Sequence, residues 1–364
     1  MTDPLPSLDG LLEKLTTVGG SDLHLKVGSP PAFRIDGVVH RSDLPSISPA
    51  DTQLYIDEII TERARAALDS SGEADFAIGR SGLGRFRVSV FRQRGSLTLV
   101  LRTVGTVNGG FDALGLPTVI ERLADERPGL LLITGPSGSG RTTTAASVVE
   151  YVNATRKGSI VTIEDPIENL FPDNQSLVSQ REVGIDTASF ASGLQTAMRN
   201  DTDVVFVGEL PDRETVAAAL RASETGHLVI AILPTFDGLE TINRIVESFE
   251  PYQRQQVRQI LSTTLKGVVS QQLIPRADAN GRAPAVEVLV NTERVAEKLK
   301  DEETTASITV DIAEGEFFGM RSYDQAILAL YEAGDVSFED ALSHATSTTD
   351  FKVAAQTRGA MSVS

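Results

Sequence analysis

The stretch GLLLITGPSGSGRTTTAASVV, residues 129–149, decides the fold. It begins with an apolar run that predicts a strand over residues 130–134, continues through a glycine-rich turn, and predicts a helix that begins near Thr142. Glycines let backbone N–H groups turn inward around phosphate oxygens, and the start of a helix favours an anion through its dipole. A strand, such a turn and a helix in this order predict the phosphate-binding loop of a nucleotide-binding α/β domain.

The loop supplies the residues that we expect to contact a nucleotide: Gly135, Ser137, Gly138, Ser139, Gly140, Arg141, Thr142 and Thr143. Thr142 can also offer its hydroxyl to Mg²⁺. Arg141 occupies the position where such loops carry lysine, and its planar guanidinium keeps the positive charge but is bulkier than an ammonium. We therefore expect nucleotide affinity to survive this substitution better than turnover. For the loop taken alone, a glycine-rich turn without a ligand is the alternative.

Outward from the loop, further apolar strands are predicted at residues 160–163, 204–207 and 228–233, with helices between them. Strands that are apolar throughout are buried on both faces, which is typical of a parallel sheet covered by helices. Beyond Pro251 the pattern predicts a long helix and a hairpin around residues 278–282. Short helices capped by Ser322 and Ser337 follow, since serine is a preferred helix N-cap.

Carboxylates follow two of the predicted strands at the point where each strand ends. Glu164 stands in VTIEDPIE and Glu209 in DVVFVGEL. Because parallel strands end at one edge of a sheet, where open α/β sheets place ligands, both acids should lie near the loop. A carboxylate there can orient the water that attacks a γ-phosphate, or hold Mg²⁺. Each acid alone could equally be a solvated residue at a strand end.

The region before the loop, residues 20–102, alternates short β-rich runs with one predicted helix. That helix begins after Ser48 in a capping box and carries an apolar side. The residues of this side are Leu54, Ile56, Ile59, Ile60, Ala64 and Leu68. Adjacent glycines and a lack of periodicity after residue 102 predict a hinge. The expected organisation is an N-terminal α/β domain over residues 1–103, a linker over 104–112, a second domain over 113–350 and a disordered tail over 351–364.

Composition limits the classes of function. The formal net charge of −17 disfavours a general nucleic-acid partner, since most of the surface would repel a phosphate backbone. The sequence contains no cysteine, which excludes a disulfide framework and a thiolate nucleophile. It has neither a signal-peptide pattern nor an apolar run of about 18 residues, so we expect a soluble protein.

Several segments together resemble a known family. They are SDLHLKVGSPPAFRIDG at residues 21–37, GRFRVSVF at 84–91, TGPSGSGRTTT at 134–144, IEDPIE at 163–168, VVFVGELPDRET at 204–215, TGHLVIAILPT at 225–235 and MRSYDQAI at 320–327. In this order and spacing they resemble the secretion ATPase superfamily, and within it the PilT-like pilus retraction ATPases. The resemblance covers almost the whole chain.

This resemblance implies a RecA-like P-loop core preceded by a small PAS-like α/β domain, assembled as a homo-hexamer that binds ATP and Mg²⁺ between its domains. Glu209 would polarise the attacking water, Glu164 would act through Mg²⁺ or water, and His227 would belong to the nucleotide site. A hydrogen-bonding role in the structure is the alternative for His227. Arginines of the N-terminal domain would complete the site, although surface pairing is the alternative for several of them. The candidates are Arg85, Arg87, Arg94 and Arg102.

The function implied is a motor for pilus retraction in twitching motility, which passes motion from ATP hydrolysis to a pilus inner-membrane platform protein. Three residues depart from the family pattern: Arg141 replaces lysine, Pro234 replaces a histidine and Pro211 replaces an arginine. They leave two hypotheses open. The first is a motor with slow turnover, and the second is a catalytically impaired nucleotide-binding ring subunit that acts beside an active paralogous pilus ATPase.

Overall fold

The computed structural model describes residues 5–35, 37–106, 109–126, 128–278 and 281–361. The chain divides into two compact units. The first extends to Thr106 and includes residues 166–170, and the second contains the rest. Residues 107 and 108 of the predicted linker lie outside the described residues, and the last strand of the first unit extends to Thr106, past the predicted start of the linker.

The first unit is built on a mainly antiparallel sheet with helices. Its elements are α1 (Leu8–Thr17), β1 (Asp22–Lys26), β2 (Ala32–Ile35), β3 (Val38–Arg41), α2 (Pro49–Ile59), α3 (Glu62–Ser71), β4 (Glu73–Arg80), β5 (Gly84–Gln93), β6 (Ser96–Thr106) and β9 (Asn169–Leu170). The strand order is β3-β2-β1-β6-β5-β4, and β9 pairs in parallel with β6. Residues 169–170, which the sequence assigned to the second domain, therefore extend the sheet of the first unit.

The single helix predicted after Ser48 is two helices. Ser48 and Asp51 form the expected capping box, but Ile60 adopts an extended backbone and ends α2. Thr61 then caps α3 by accepting a hydrogen bond from the Ala64 N–H. The prediction that Leu54 faces the core is wrong, since 69% of it is exposed. The sequence interpretation also missed α1 and β3.

The second unit contains the predicted parallel sheet. Its strands are β7 (Gly129–Thr134), β8 (Ser159–Glu164), β10 (Leu177–Glu182), β11 (Val204–Val207), β12 (Leu228–Leu233), β13 (Leu265–Pro275) and β14 (Arg282–Val290). Their order is β10-β8-β11-β12-β7-β13-β14, and the β13–β14 pair is antiparallel while the other neighbours are parallel. The predicted fold class, a mixed α/β chain with a parallel sheet, is confirmed.

Both faces of this sheet are buried. In β7, Leu130 and Leu132 belong to the core on one face, and Leu131 and Ile133 belong to the core on the other. Side chains alternate between the faces of a strand, so a strand covered on both sides must be apolar at every position. This burial explains the unbroken apolar runs from which the strands were predicted, and it leaves the strand ends as the places for polar chemistry.

Helices cover the sheet of the second unit. They are α4 (Val119–Ala124), α5 (Arg141–Thr155), α6 (Phe190–Ala197), α7 (Arg213–Glu224), α8 (Gly238–Glu247), α9 (Pro251–Thr264), α10 (Glu293–Leu299), α11 (Glu302–Thr305), α12 (Ile308–Glu314), α13 (Tyr323–Glu332), α14 (Phe338–His344) and α15 (Thr348–Met361), with a 3₁₀ turn at Glu316–Phe318. Ser322 and Ser337 cap α13 and α14 as predicted. In the part of the chain that the structure describes, no helix has the length and apolarity to cross a membrane.

The predicted disordered tail is replaced by a helix as far as Met361, whereas residues 362–364 lie outside the described residues. The reason is Phe351, which is buried against the core formed by α13 and α14. An aromatic side chain that finds such a contact offsets part of the entropy cost of ordering its segment.

Candidate phosphate site

A strand, a glycine loop and a helix form the centre of the candidate site. The loop joins β7 to α5, and Gly140 is the N-cap of α5. Gly135, Gly138 and Gly140 have φ values of 147°, 77° and 86°, a region that favours glycine. A Cβ atom at Gly135 would lie 2.2 Å from the Gln271 carbonyl oxygen, so the backbones approach closely there. The backbone of this segment thus has the conformation that was predicted for a phosphate-binding loop.

The side chains of the loop differ in their exposure. Ser137 and Thr143 are exposed, and Thr142 is half-buried at the first turn of α5. Ser139 is buried, and its Oγ finds no hydrogen-bond partner among the described residues. A buried hydroxyl without a partner costs free energy, so a ligand oxygen in the loop would relieve that cost. The loop therefore fits the phosphate chain of a nucleotide.

Arg141 reaches from the first turn of α5 to the end of β12. Its Nη1 donates a hydrogen bond to the Leu233 carbonyl oxygen at 3.1 Å. Burial lowers the pKa of the guanidinium from its ordinary value, and the negative charge of Glu209 acts in the opposite direction. Arg141 thus joins the loop to two neighbouring strands of the sheet.

The two predicted acids lie at the same edge of the sheet as the loop. Glu164 ends β8, and Glu209 follows Gly208 at the end of β11, whose last residue pairs with Ile163. The Gly208 N–H donates to the Ile163 carbonyl at 2.8 Å, which brings the ends of the two strands together. The convergence predicted from the sequence is therefore present at the carboxyl edge.

These acids have different environments. Glu164 is buried, and its Oε1 accepts hydrogen bonds from Thr162 Oγ1 at 2.6 Å and from Gln180 Nε2 at 3.1 Å. Glu209 is exposed and interacts electrostatically with Arg141. A held, buried carboxylate suits the binding of a cation or of an ordered water, whereas an exposed one near a phosphate loop can take up a proton. The geometry separates the two roles.

A magnesium ion would need ligands beyond protein carboxylates. No group of three histidine or acidic side chains that could hold a metal occurs among the described residues. Mg²⁺ commonly takes one or two protein ligands together with phosphate oxygens and waters. The Thr142 hydroxyl and the Glu164 carboxylate, predicted as magnesium ligands, suit that donor set.

His227 lies at the other edge of the sheet. It precedes β12, whose first residue Leu228 pairs with Gly129, whereas the phosphate loop follows the last pair, Leu233 with Thr134. Because β12 rises about 3.3 Å per residue, His227 and the phosphate loop lie about 20 Å apart along the strand. The Nδ1 atom of His227 lies 3.0 Å from the Ala222 carbonyl oxygen. Within the chain, His227 therefore lies away from this phosphate loop, and its contact with Ala222 matches the alternative of a structural hydrogen bond.

Three of the predicted arginines share one face of the sheet in the first unit. Arg87 lies directly opposite Arg102 in the β5–β6 register, and Arg85 is two residues from Arg87 on the same face. Arg94 is not with them. It forms the two-residue turn between β5 and β6 with Gly95, and its φ of 50° is uncommon for a residue other than glycine.

Arg102 already has an acidic partner. Its Nε atom lies 2.8 Å from Asp22 Oδ1, and Arg34 approaches the other oxygen of Asp22 at 3.5 Å. Burial acts to raise the pKa of Asp22, but the hydrogen bonds from Ser21 and Arg102 outweigh it and leave the pKa below its ordinary value. Surface pairing, the alternative considered for these arginines, therefore describes at least part of what Arg102 does.

Sequence reasoning missed two residues that contact the phosphate loop. Gln271 donates from Nε2 to the Ser139 carbonyl at 2.7 Å, and Arg282 donates from Nη1 to the Gly138 carbonyl at 3.1 Å. A usable signal was the pair Gln271 and Gln272 inside the apolar run VVSQQLI, since buried amides need hydrogen-bond partners. The identity of those partners depends on strand pairing that local sequence does not specify.

Residues 5–325 match the family described as "Type II/IV secretion system protein". The chain belongs to this family. Among curated relatives it is 38% identical over 333 residues to the type IV pilus retraction ATPase PilT of Pseudomonas aeruginosa, covering 92% of this chain and 96% of the relative. It is 36% identical over 343 residues to the type IV pilus ATPase PilU of the same organism, covering 94% and 90%.

A solved structure agrees with the placement in the secretion family. The pilus retraction motor PilT with bound ADP matches at a TM-score of 0.86 and 40% identity, over 95% of this chain and 99% of that chain. The ATPase DotB of Legionella pneumophila matches at a TM-score of 0.73 and 26% identity, over 94% and 97%. The predicted resemblance to PilT-like ATPases is thus confirmed, and the chain is homologous to pilus retraction ATPases.

Two departures from the secretion-family pattern meet in space. Arg141 donates to the carbonyl of Leu233, and Leu233 immediately precedes Pro234. The guanidinium is longer than an ammonium and reaches the end of β12, next to the position where a histidine was expected. The third departure, Pro211, lies just before Asp212, the N-cap of α7.

Proposed function

We propose that this chain is an ATP-binding and ATP-hydrolysing motor subunit of the pilus retraction type, with slow turnover. The observation that carries the proposal is the phosphate loop, whose arginine interacts electrostatically with an exposed carboxylate at the end of β11. A loop that can bind phosphates and an acid that can accept a proton are the minimum for phosphoryl transfer to water. The relatives PilT and PilU are ATPases of the type IV pilus.

Each group of the site has a role in this proposal. Backbone N–H groups of the loop and the Arg141 guanidinium hold the phosphate chain. Glu209 orients the attacking water and takes up its proton, while Thr142 and Glu164 would hold Mg²⁺. When bound, Mg²⁺ neutralises the charge that develops on the phosphate oxygens. Arg141 leaves the Leu233 carbonyl to contact phosphate, and the loss of that hydrogen bond is one reason to expect slow turnover.

The assembly follows from the same homology and is also a proposal. We infer a homo-hexameric ring in the cytoplasm, peripheral to the membrane through the pilus machine, in which arginines of the first unit contribute to the nucleotide site. The candidates are Arg85, Arg87, Arg94 and Arg102, of which Arg102 also pairs with Asp22 and Arg94 forms a turn. The ring would act on a pilus inner-membrane platform protein, and a paralogous pilus ATPase is a further candidate partner.

Steady-state ATP hydrolysis by the full chain tests the proposal. Glu209→Gln should lower turnover about 100-fold or more, the usual contribution of a positioned general base. Glu224→Gln is the matched control, because Glu224 is an exposed acid at the end of α7. Equal rates for the wild type and Glu209→Gln would overturn the proposed hydrolysis. Nucleotide binding together with such equal rates would support the impaired ring subunit instead.

A further inference from the structure

The strand β13 continues past the end of its neighbour β7 and lies beside the phosphate loop. The parallel register pairs Ser270 with Thr134, the last residue of β7. The next residue of β13, Gln271, therefore lies alongside Gly135, the first residue of the loop. A Cβ atom at Gly140 would lie 2.7 Å from Gln271 Nε2, so the side chain of Gln271 fills the space that Gly140 leaves open, while the Gln271 backbone lies against Gly135.

Both ends of the Gln271 amide are engaged by the loop and its helix. Nε2 donates to the Ser139 carbonyl oxygen at 2.7 Å, and Oε1 accepts from Thr144 Oγ1 at 2.7 Å. These two contacts set the orientation of the amide, because the carbonyl can only accept and the NH₂ group can only donate. Gln271 and Thr144 are 3% and 2% exposed, so water cannot readily replace either bond.

The contact with Ser139 fixes one peptide plane of the loop. In a trans peptide the C=O and N–H groups are nearly coplanar and point in opposite directions. Because Gln271 holds the Ser139 carbonyl toward β13, the Gly140 N–H on the same peptide points away from β13. That N–H belongs to the N-cap of α5, where amides are available to an anion.

We propose that Gln271 is a positioning residue for nucleotide binding, which holds the Ser139–Gly140 peptide so that its N–H meets the phosphate. The inference rests on the proposed nucleotide-binding function. Gln271 does not touch the nucleotide and acts through the loop. Arg282 cannot replace it, because its guanidinium contacts the carbonyl of the preceding residue, Gly138, and so holds a different peptide.

The chain provides a matched control in the next residue. Gln272 is the same residue type in the same strand and is also buried, at 7% exposure. Its side chain points to the opposite face of the sheet, where Nε2 donates to the His344 carbonyl at 3.4 Å. Removing this amide disturbs the contact with α14 and leaves the loop unchanged.

Isothermal titration of the full chain with Mg·ATP and with Mg·ADP tests the inference. Gln271→Met keeps the length of the side chain and removes both hydrogen bonds. It should raise the Kd for both nucleotides about tenfold, with unchanged stoichiometry, since the loop amides contact phosphates that ATP and ADP share. Gln272→Met should leave both Kd values within about twofold of wild type, while its melting temperature falls.

The outcomes separate this inference from the proposed function. Absence of binding by the wild type would overturn both. Binding by the wild type and equal binding by Gln271→Met would overturn the role of Gln271 alone. A loss of stoichiometry without a change in Kd would mean partial unfolding and would also count against it. If Gln271→Met does not fold, Thr144→Val frees the Gln271 oxygen, and a Kd for it within experimental error of wild type would contradict the inference.

Discussion

The two edges of the parallel sheet in the second unit carry polar residues of opposite character. At the amino edge, Asp203 accepts from the Ser159 N–H at 2.9 Å, and His227 lies 3.0 Å from the Ala222 carbonyl. At the carboxyl edge, Ser139 Oγ finds no partner among the described residues, and Glu209 is exposed beside Arg141. The polar groups at the amino edge are hydrogen-bonded within the protein, whereas Ser139 Oγ and the Glu209 carboxylate at the carboxyl edge can still bind a ligand. The direction of the strands thus separates structural from functional polar residues.

The largest expected difference between the edges comes from two glycines. Gly135→Ala places a Cβ atom 2.2 Å from the Gln271 carbonyl oxygen, whereas a Cβ atom at Gly226 meets nothing within 4 Å. Both have positive φ, so both variants pay a conformational cost of about 1 kcal/mol, but only the first adds a backbone clash. We expect Gly135→Ala to abolish detectable Mg·ATP binding in calorimetry and Gly226→Ala to retain it. Equal binding by the two variants would remove the distinction.

A pH effect should appear at Glu287, which pairs with Ser270 at the level of the carboxyl edge. Burial raises its pKa from 4.5 to about 7, although the Gly238 N–H donates to it. The folded state therefore binds the proton more tightly than the unfolded state, and the free energy of unfolding falls as pH rises from about 4.5 through 7. The fall should be at most about 3 kcal/mol.

Urea unfolding of the wild type and of Glu287→Gln at pH 5 and pH 8 measures this effect. The neutral amide cannot ionise, so the difference between the two proteins should change in favour of Glu287→Gln at the higher pH. Parallel pH dependence for the two proteins would show that the Glu287 carboxyl titrates alike in the folded and unfolded states.

A smaller change is expected at Arg141. Removing the guanidinium in Arg141→Ala should weaken Mg·ATP binding about tenfold, since charge-assisted contacts to phosphate contribute roughly 1.5 kcal/mol or more. Arg141→Lys should keep affinity within about threefold and raise the rate of ATP hydrolysis, because an ammonium fits between two phosphates. Lys157→Ala, just before β8 at the amino edge, is the control. The same loss of affinity in Lys157→Ala and Arg141→Ala would indicate a general charge effect.

The smallest expected effect on nucleotide binding is at His227. His227→Ala removes the hydrogen bond to Ala222 and should cost about 1 kcal/mol of stability, seen as a lower melting temperature. The Kd for Mg·ATP should stay unchanged, since His227 lies at the amino edge of the sheet and the loop lies at the carboxyl edge. A tenfold weaker Kd in a fully folded variant would place His227 in the nucleotide site after all.

Apolar runs in the sequence correctly predicted the bounds of buried strands. The apolar strands Val204–Val207 and Leu228–Leu233 have the predicted bounds because burial on both faces leaves no room for polar residues. Strand direction also placed Glu164 and Glu209 at one edge. The same rule places His227, which precedes β12, at the opposite edge of the sheet from the loop.

The features of the structure that the sequence did not predict depend on contacts between segments that are distant in the chain. The predicted long helix after Pro251 ends at Thr264, and the run that follows it is β13, which pairs with β7 and β14. Gln271 acquires its partners only through this pairing. The tail is helical because Phe351 finds a buried position that no local pattern reveals.

The carboxyl edge of the parallel sheet is the proposed binding place of the triphosphate. A crystal structure of the full chain with Mg²⁺ and a non-hydrolysable ATP analogue tests it most directly. We predict phosphate oxygens about 3 Å from the N–H groups of Gly138 and Gly140, with Mg²⁺ at the Thr142 hydroxyl. A structure in which the analogue lies elsewhere, while Arg141 still contacts the Leu233 carbonyl, would contradict nucleotide binding at this edge.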